Sequence, residues 1–310
     1  MAYKRYTKRR AAPRKKTPYR RRSYAKKPRY AKRATMSKKR VLNVVSRKKR
    51  NGMLSWANTA PNGVTVNAIS QTPAYVSAAA VTDGTACGIF LWNCTAMSLN
   101  ANQNGGNTVI NQAERTSTTC YMRGLAEHLR IQTSTGLPWI HRRLVFNLKI
   151  ALAYQNLDTA PVAPQQTYVD TSNGIERLWQ NLAINKTPKA IGQIYAYLFR
   201  GTYGTDYTDP LIAPVATDKV TVMYDKTRTY KSGNTAGYIG ETKLWHGINK
   251  NLVYDDDELG AGMNPSYISV TGKPGVGNVF VLDILAPGVG GSSGDIIRID
   301  ANSTLYWHER

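Results

Sequence analysis

The feature that most constrains this chain is where its positive charge lies. Residues 1–50 hold 23 of the 42 lysines and arginines and no acidic residue, and the first acidic residue is Asp83. Residues 51–310 carry 19 basic and 19 acidic residues, so the formal net charge of +23 belongs to residues 1–50. Because like charges repel and apolar side chains are few there, we expect residues 1–50 to be a disordered basic arm. Residues 51–310 are long enough to bury a core.

Alternating apolar residues predict that residues 51–310 are mainly β-structure. In 296–307, Ile297, Ile299 and Leu305 share one face, which is the period of a half-buried strand. Residues 278–285 are apolar on both faces, as in a covered strand, whereas 118–133 fit either a strand or a helix. The nearly uncharged residues 51–86 are interpreted as a linker into the body. The other predicted strands are 88–98, 142–152, 193–200, 219–230 and 242–254.

One helix is predicted at about 173–184. Asn173 can cap its first turn, with Glu176 reaching back three residues later. The residues at i, i+3, i+4 and i+7 form an apolar face, and Pro188 ends the segment. Eight strands, one inserted helix and long loops predict an all-β fold, an eight-stranded jelly-roll sandwich. The apolar face consists of Ile175, Leu178, Trp179 and Leu182, and the loops are 155–172, 201–218 and 255–277.

The composition of the arm predicts binding to nucleic acid. Flexible lysine and arginine side chains bind a polymer of phosphates by releasing its condensed counterions, and tyrosine offers a face for unpaired bases. A solvated tail and a nuclear-import signal are the alternatives, and the import role is compatible with binding. The candidate nucleic-acid-binding residues are Arg14, Lys15, Lys16, Tyr19, Arg20, Arg21, Arg22, Tyr24, Lys26, Lys27, Arg29, Tyr30, Lys32, Arg33, Lys38, Lys39, Arg40, Arg47, Lys48, Lys49 and Arg50.

Signals for catalysis, cofactors and metals are weak. Three cysteines without a CxxC pair fit neither a disulfide framework nor a zinc site, and the four histidines lack metal-ligand spacing. Cys120 and His128 could be imagined as nucleophile and base, but nothing else supports a catalytic pair. We therefore expect no enzyme activity and no cofactor. The weak metal candidates are Asp255, Asp256, Asp257 and Glu258, which could instead form a solvated loop tip or pair with a neighbouring subunit. No apolar run approaches the length of a membrane span, so we expect no membrane partner.

Several segments together resemble the capsid proteins of the genomoviruses and, more distantly, the coat proteins of geminiviruses. After the Tyr- and Arg-rich arm come Cys120–Leu125 and then Gly136–Trp139, which leads into Arg142–Phe146. Val220–Lys226 followed by 241–254 looks like the paired strands of the geminivirus coat. The closing strand Ile296–Trp307 fits as well, so that the similarity spans essentially the whole chain.

This resemblance implies a jelly-roll capsid domain at 51–310 that self-assembles into an icosahedral T=1 shell of sixty copies. It implies a single-stranded circular DNA genome as the partner of the arm, and no enzymatic role. We therefore expect the chain in the virion and, during assembly, in the host nucleus, with host import receptors as possible partners. The residues alone leave open a ribosomal or chromatin-associated protein with a basic tail.

Overall fold

The computed structural model describes residues 36–80, 87–100, 105–150 and 158–310. The chain divides into two compact units, Met1–Leu42 and Asn43–Arg310, and the second contains all the β-structure described below. The helices are α1 (Lys38–Val45) and α2 (Pro188–Leu198). The strands are β1 (Arg47–Met53), β2 (Ser55–Thr59), β3 (Val66–Ser70), β4 (Ala74–Ser77), β5 (Gly88–Asn93), β6 (Thr119–Thr133), β7 (Trp139–Leu148), β8 (Val169–Thr171), β9 (Gly174–Trp179), β10 (Thr221–Tyr230), β11 (Ile239–Val253), β12 (Asp257–Leu259), β13 (Gly262–Asn264), β14 (Asn278–Pro287) and β15 (Ile296–Glu309).

Two antiparallel sheets form the sandwich, a third sheet has the order β3-β2-β9-β8, and β12 pairs with β13. In the first sheet the order is β1-β15-β6-β11, and β4 pairs with the beginning of β15 while β1 pairs with its end. In the second sheet the order is β10-β7-β14-β5. If β4, β5, β6, β7, β10, β11, β14 and β15 are taken as eight consecutive strands, the two sheets have the orders 1-8-3-6 and 2-7-4-5. This connectivity is that of a jelly roll, which confirms the predicted all-β sandwich.

The core lies between the two sheets and is built by alternating side chains. On β15, Ile297, Ile299, Leu305 and Trp307 are buried, and their neighbours along the strand are more exposed. They pack against residues of the second sheet such as Trp92 in two clusters of buried side chains. The predicted alternation of 296–307 is therefore confirmed.

In the second sheet β5, β7 and β14 are buried on both faces, whereas the edge strand β10 is largely exposed or half-buried. The outer face of this sheet carries alternate residues of β5, β7 and β14, including Leu91, Phe146 and Leu282. Ile194 and Leu198 of α2 cover this face, and each contributes about 1.5–3 kcal/mol by burial. The predicted covered strand at 278–285 is confirmed, since β14 is buried along nearly its whole length.

The predicted helix at 173–184 is wrong, because Gly174–Trp179 is strand β9. It pairs with β8 and runs parallel to β2. All six residues of β9 are buried, so neither face meets solvent, and the apolar spacing carried no information about helix or strand. Glu176, the expected capping residue, instead accepts a hydrogen bond from the backbone N–H of Leu54 at 2.5 Å.

The predicted strand at 193–200 is also wrong, because α2 covers 188–198. Pro188 opens this helix, a position where its missing N–H costs nothing. The carboxylate of Asp158 accepts hydrogen bonds from the backbone N–H groups of Lys189 and Ala190 at 3.0 and 3.1 Å. The cap therefore comes from a residue distant in sequence, which local pattern analysis does not find.

Two predicted boundaries near the arm also change. β1 begins at Arg47, so the boundary predicted at residue 50 lies inside a strand of the body. The predicted linker 51–86 contains β2, β3 and β4 in its described part. The ambiguous segment 118–133 is strand β6.

Among the described residues, neither helix has the length and apolar content needed to cross a bilayer.

Candidate nucleic-acid interface

The structure describes only part of the predicted interface. The candidates from Arg14 to Arg33 lie outside the described residues, so their predicted disorder and binding remain predictions. Lys38, Lys39 and Arg40 lie in α1. Arg47, Lys48, Lys49 and Arg50 lie in β1, where the strand fixes the direction of each side chain.

Alternation along β1 separates its lysines. Lys48 and Arg50 are exposed, whereas Lys49 is 3% exposed and points into the body. The Lys49 ammonium lies 3.0 Å from a carboxylate oxygen of Glu309 and donates to the carbonyl of Glu114 at 2.8 Å. The prediction that Lys49 contacts nucleic acid is therefore wrong, because its charge is buried and neutralised within the protein.

Burial alone would raise the pKa of Glu309, but its hydrogen bonds outweigh this effect. Its carboxylate accepts hydrogen bonds from the N–H and hydroxyl of Thr116 at 3.0 and 2.6 Å and from the indole N–H of Trp307 at 2.8 Å. Together with Lys49 these donors hold the pKa of Glu309 below its ordinary value. The ion pair of Lys49 and Glu309 thus joins β1, the first strand, to β15, the last.

The solvent face of the first sheet continues the positive charge of β1. Lys48 is paired in register with His308, and Arg50 with Tyr306. On β6 the register shifts around Arg123, a bulge of the kind that redirects a side chain, and this arginine is exposed. We call the surface formed by Lys48, Arg50 and Arg123 the basic half-face.

The basic half-face has no acidic neighbour to neutralise it. No ion pair among the described residues involves Lys48, Arg50 or Arg123, and the Arg123 guanidinium donates to the side-chain oxygen of Asn249. Partial burial lowers the pKa of His308, and the nearby charges of Lys48 and Arg123 lower it further. The lowered pKa is the effect expected where positive charge is left uncompensated.

On the other half of the same face most charges are paired, and Lys243 is an exposed cation without an ion pair among the described residues. The carboxylate of Glu241 lies 2.8 Å from Arg130 and 3.1 Å from His128. Arg298 lies 3.6 Å from Asp300 on β15. Unpaired cations are therefore more numerous at the half of the sheet where β1 forms the edge.

Other arginines that could have faced nucleic acid are buried. Arg142 binds Asp225 through two hydrogen bonds of 3.0 and 2.8 Å, and Arg143 pairs with Glu127 and Asp283. Both arginines are at most 5% exposed. Their positive charges are therefore unavailable to phosphate.

Arg143 belongs to a buried ion cluster between the sheets. Arg177, 0% exposed, lies 3.3 Å from Glu127 and 2.7 Å from Asp283, and its guanidinium packs 3.7 Å from the centre of a Trp179 ring. His141 lies 2.8 Å from Asp283 and 3.1 Å from the Tyr230 hydroxyl. Desolvation, followed by the charge of Arg143, lowers the pKa of His246 to about 4. Two carboxylates thus face two guanidinium groups, which balances the charge of the cluster.

The pair imagined as a nucleophile and base is not assembled. Cys120 is buried in the core, where desolvation raises the pKa of its thiol, whereas His128 lies exposed on the solvent face of β6. The two side chains therefore point to opposite sides of the sheet.

In the acidic cluster of residues 255–258, the carboxylate of Asp256 is already paired with an arginine. Both oxygens of Asp256 accept hydrogen bonds of 2.6 Å from Arg115, and both side chains are fully buried. Asp255, Asp257 and Glu258 are exposed. Within the described residues, no three His, Cys, Asp or Glu side chains come together as metal ligands.

Sequence reasoning missed Arg123 as a member of the interface. The signal that could have found it is the alternation of β6, where Cys120, Met122 and Leu125 point inward.

No protein-family model matches this chain, and a comparison with curated proteins finds no similar sequence.

Proposed function

We propose that this chain is a viral capsid protein that self-assembles into an icosahedral shell and packages single-stranded DNA. The observation that carries this proposal is that most of the net positive charge lies in the sequence before the folded body. Nineteen uncompensated positive charges lie in Met1–Leu42, and the body that follows is a jelly roll with a basic half-face. Flexible cations neutralise phosphate without reading sequence, which suits the packaging of a whole genome.

The body is suited to forming the shell. Its long loops, such as 201–218 and 255–277, offer contacts to neighbours on several sides, and large apolar side chains are exposed on them, including Ile212 and Leu259.

The basic blocks of the arm would also serve as nuclear-import signals recognised by host receptors, which agrees with assembly in the nucleus. The proposed role is structural and assigns no catalytic step to the chain.

The test is to mix the purified full-length chain with circular single-stranded DNA and examine it by negative-stain electron microscopy. We expect uniform round particles that contain nuclease-protected DNA. If the protein binds DNA but forms no closed particles, the ribosomal or chromatin-associated function is favoured and the proposal fails.

A charge-matched pair of variants tests the role of the arm. We expect replacement of Arg20, Arg21 and Arg22 by glutamine to lower the salt slope of single-strand binding by about 2, at ~0.7 per phosphate contact. The control replaces three exposed cations beside or within α2, Lys186, Lys189 and Arg200, and should leave the slope unchanged. Equal effects of the two triple variants would contradict the role of the arm.

A further inference from the structure

An exposed tryptophan lies next to the basic half-face. Trp245 on β11 is 53% exposed, whereas four of the other five tryptophans are fully buried and Trp56 is partly buried. Its ring centre lies 5.9 Å from that of Tyr306, with the ring planes at 54°. Tyr306 is the residue that pairs in register with Arg50. The two aromatic rings and the uncompensated cations therefore share one surface.

The backbone beneath the tryptophan is shaped to hold it. Gly124 on β6 lies opposite Tyr306, and a Cβ at residue 124 would come within 2.7 Å of the Trp245 six-membered ring. Only a glycine lets the indole lie this close to the strand. The indole is thus supported by β6 on one side while more than half of its surface remains open to solvent.

We infer that Trp245 and Tyr306 form a stacking site for unpaired bases, with Arg50 and Arg123 binding the adjacent phosphates. This inference rests on the proposed function and adds a site on the folded body to the binding by the arm. An aromatic face accepts any base, and a base is free to stack on it only when it is unpaired. The site therefore favours single-stranded over double-stranded DNA without reading sequence.

The dimensions of the sheet suit a short length of strand. Arg50, Tyr306, Gly124 and Gly247 form one row across four strands. Three inter-strand spacings of about 4.8 Å make this row about 14 Å long. That length accommodates a few nucleotides, since stacked nucleotides rise ~3.4 Å each.

A second copy of the chain is the competing occupant of this surface. Such a partner would have to supply carboxylates to the basic half-face. The chain exposes Asp255, Asp257 and Glu258, but residues 51–310 as a whole have no excess of acidic residues. A polyanion supplies phosphates at every nucleotide, and its bases match the exposed rings. The charge and the aromatic content together favour nucleic acid.

The test uses the full-length chain and a short oligodeoxythymidine at ~0.5 M salt, where binding by the arm is weakened and stacking persists. We expect the oligonucleotide to quench tryptophan fluorescence, and Trp245→Ala to abolish the quenching and weaken binding at least about fivefold. Trp245→Phe should retain most of the affinity because it keeps an aromatic face. The control Val289→Ala removes part of a different, fully exposed apolar side chain and should leave binding unchanged.

Crosslinking separates failure of this site from failure of the proposed function. Photo-crosslinks from a bromodeoxyuridine oligonucleotide should map to Trp245 or Tyr306. If they map only to the arm and Trp245→Ala binds normally, the stacking site is wrong while packaging by the arm stands. If the full-length chain binds no DNA, both fail. If Trp245→Ala blocks particle formation with unchanged DNA affinity, the surface is a subunit contact and the inference is overturned.

Discussion

Two adjacent lysines of β1 should have opposite effects when each is changed to glutamine. Lys49 is buried with its ammonium 3.0 Å from Glu309, whereas Lys48 is exposed and forms no ion pair among the described residues. Removing one partner of a buried ion pair costs about 3–5 kcal/mol of unfolding free energy. Glu309 keeps hydrogen bonds from Thr116 and Trp307, so we expect Lys49→Gln to cost about 3 kcal/mol, at the lower end of that range.

The assay is urea unfolding, followed by tryptophan fluorescence in high salt without DNA. With an m-value near 3 kcal/mol/M, Lys49→Gln should lower the urea midpoint by about 1 M. Lys48→Gln should change the unfolding free energy by less than about 0.5 kcal/mol. In DNA binding the order reverses, because loss of one phosphate contact by Lys48 lowers the salt slope by ~0.7 and loss of Lys49 leaves it unchanged. Equal salt slopes for the two variants, or an unmoved midpoint for Lys49→Gln, would refute the assignment of these side chains.

Three further predictions concern the buried charges and the arm. The pKa of His246 is lowered to about 4 in the fold, so between pH 6.5 and 4 the unfolded chain binds a proton that the folded chain does not. As the pH is lowered through this range, the unfolding free energy should fall by up to about 1.4 kcal/mol per pH unit, and His246→Gln should flatten this slope in urea titrations. Arg177→Met and Glu127→Gln should each cost about 3–5 kcal/mol, but the double variant should cost at least about 1 kcal/mol less than their sum because it restores neutrality; additive costs would contradict a coupled cluster. If sixty copies with 23 charges each neutralise on the order of 1,400 nucleotides, deleting residues 2–33 should shorten the packaged DNA or destabilise full particles, as measured on extracted DNA and by thermal release.

Period-two alternation predicted strands well where one face of the sheet meets solvent. β15 has the first sheet's core on one side and water on the other, so its sequence records both environments. The same logic would have assigned Tyr306 and His308 to the solvent face, opposite Trp307. β14 could be recognised for a different reason, since its apolar residues run continuously, as in a strand covered on both sides.

Local pattern failed where tertiary contacts determine the environment of every side chain. In β9, Arg177 is buried because Glu127 and Asp283 come from other strands to neutralise it, so a charged residue did not mark a solvent face. β7 shows the same effect, since Arg142 and Arg143 are buried between apolar residues. The sequence contains the residues of these ion pairs but not their pairing, which depends on the sheet topology.

The same dependence explains why the basic half-face could not be found by counting charges. Counted from residue 51 the body is neutral, but β1 brings Arg47, Lys48, Lys49 and Arg50 into the unit Asn43–Arg310, which gives that unit a formal charge of +4. Lys49 is cancelled internally by Glu309, so the excess of the other cations lies at the surface. Identical bodies that met through this surface would bring like charges together, whereas a polyanion facing it would be attracted. In the proposed capsid, the placement of β1 at the edge of the first sheet therefore favours an orientation in which this sheet faces the DNA and the neighbouring subunits meet elsewhere.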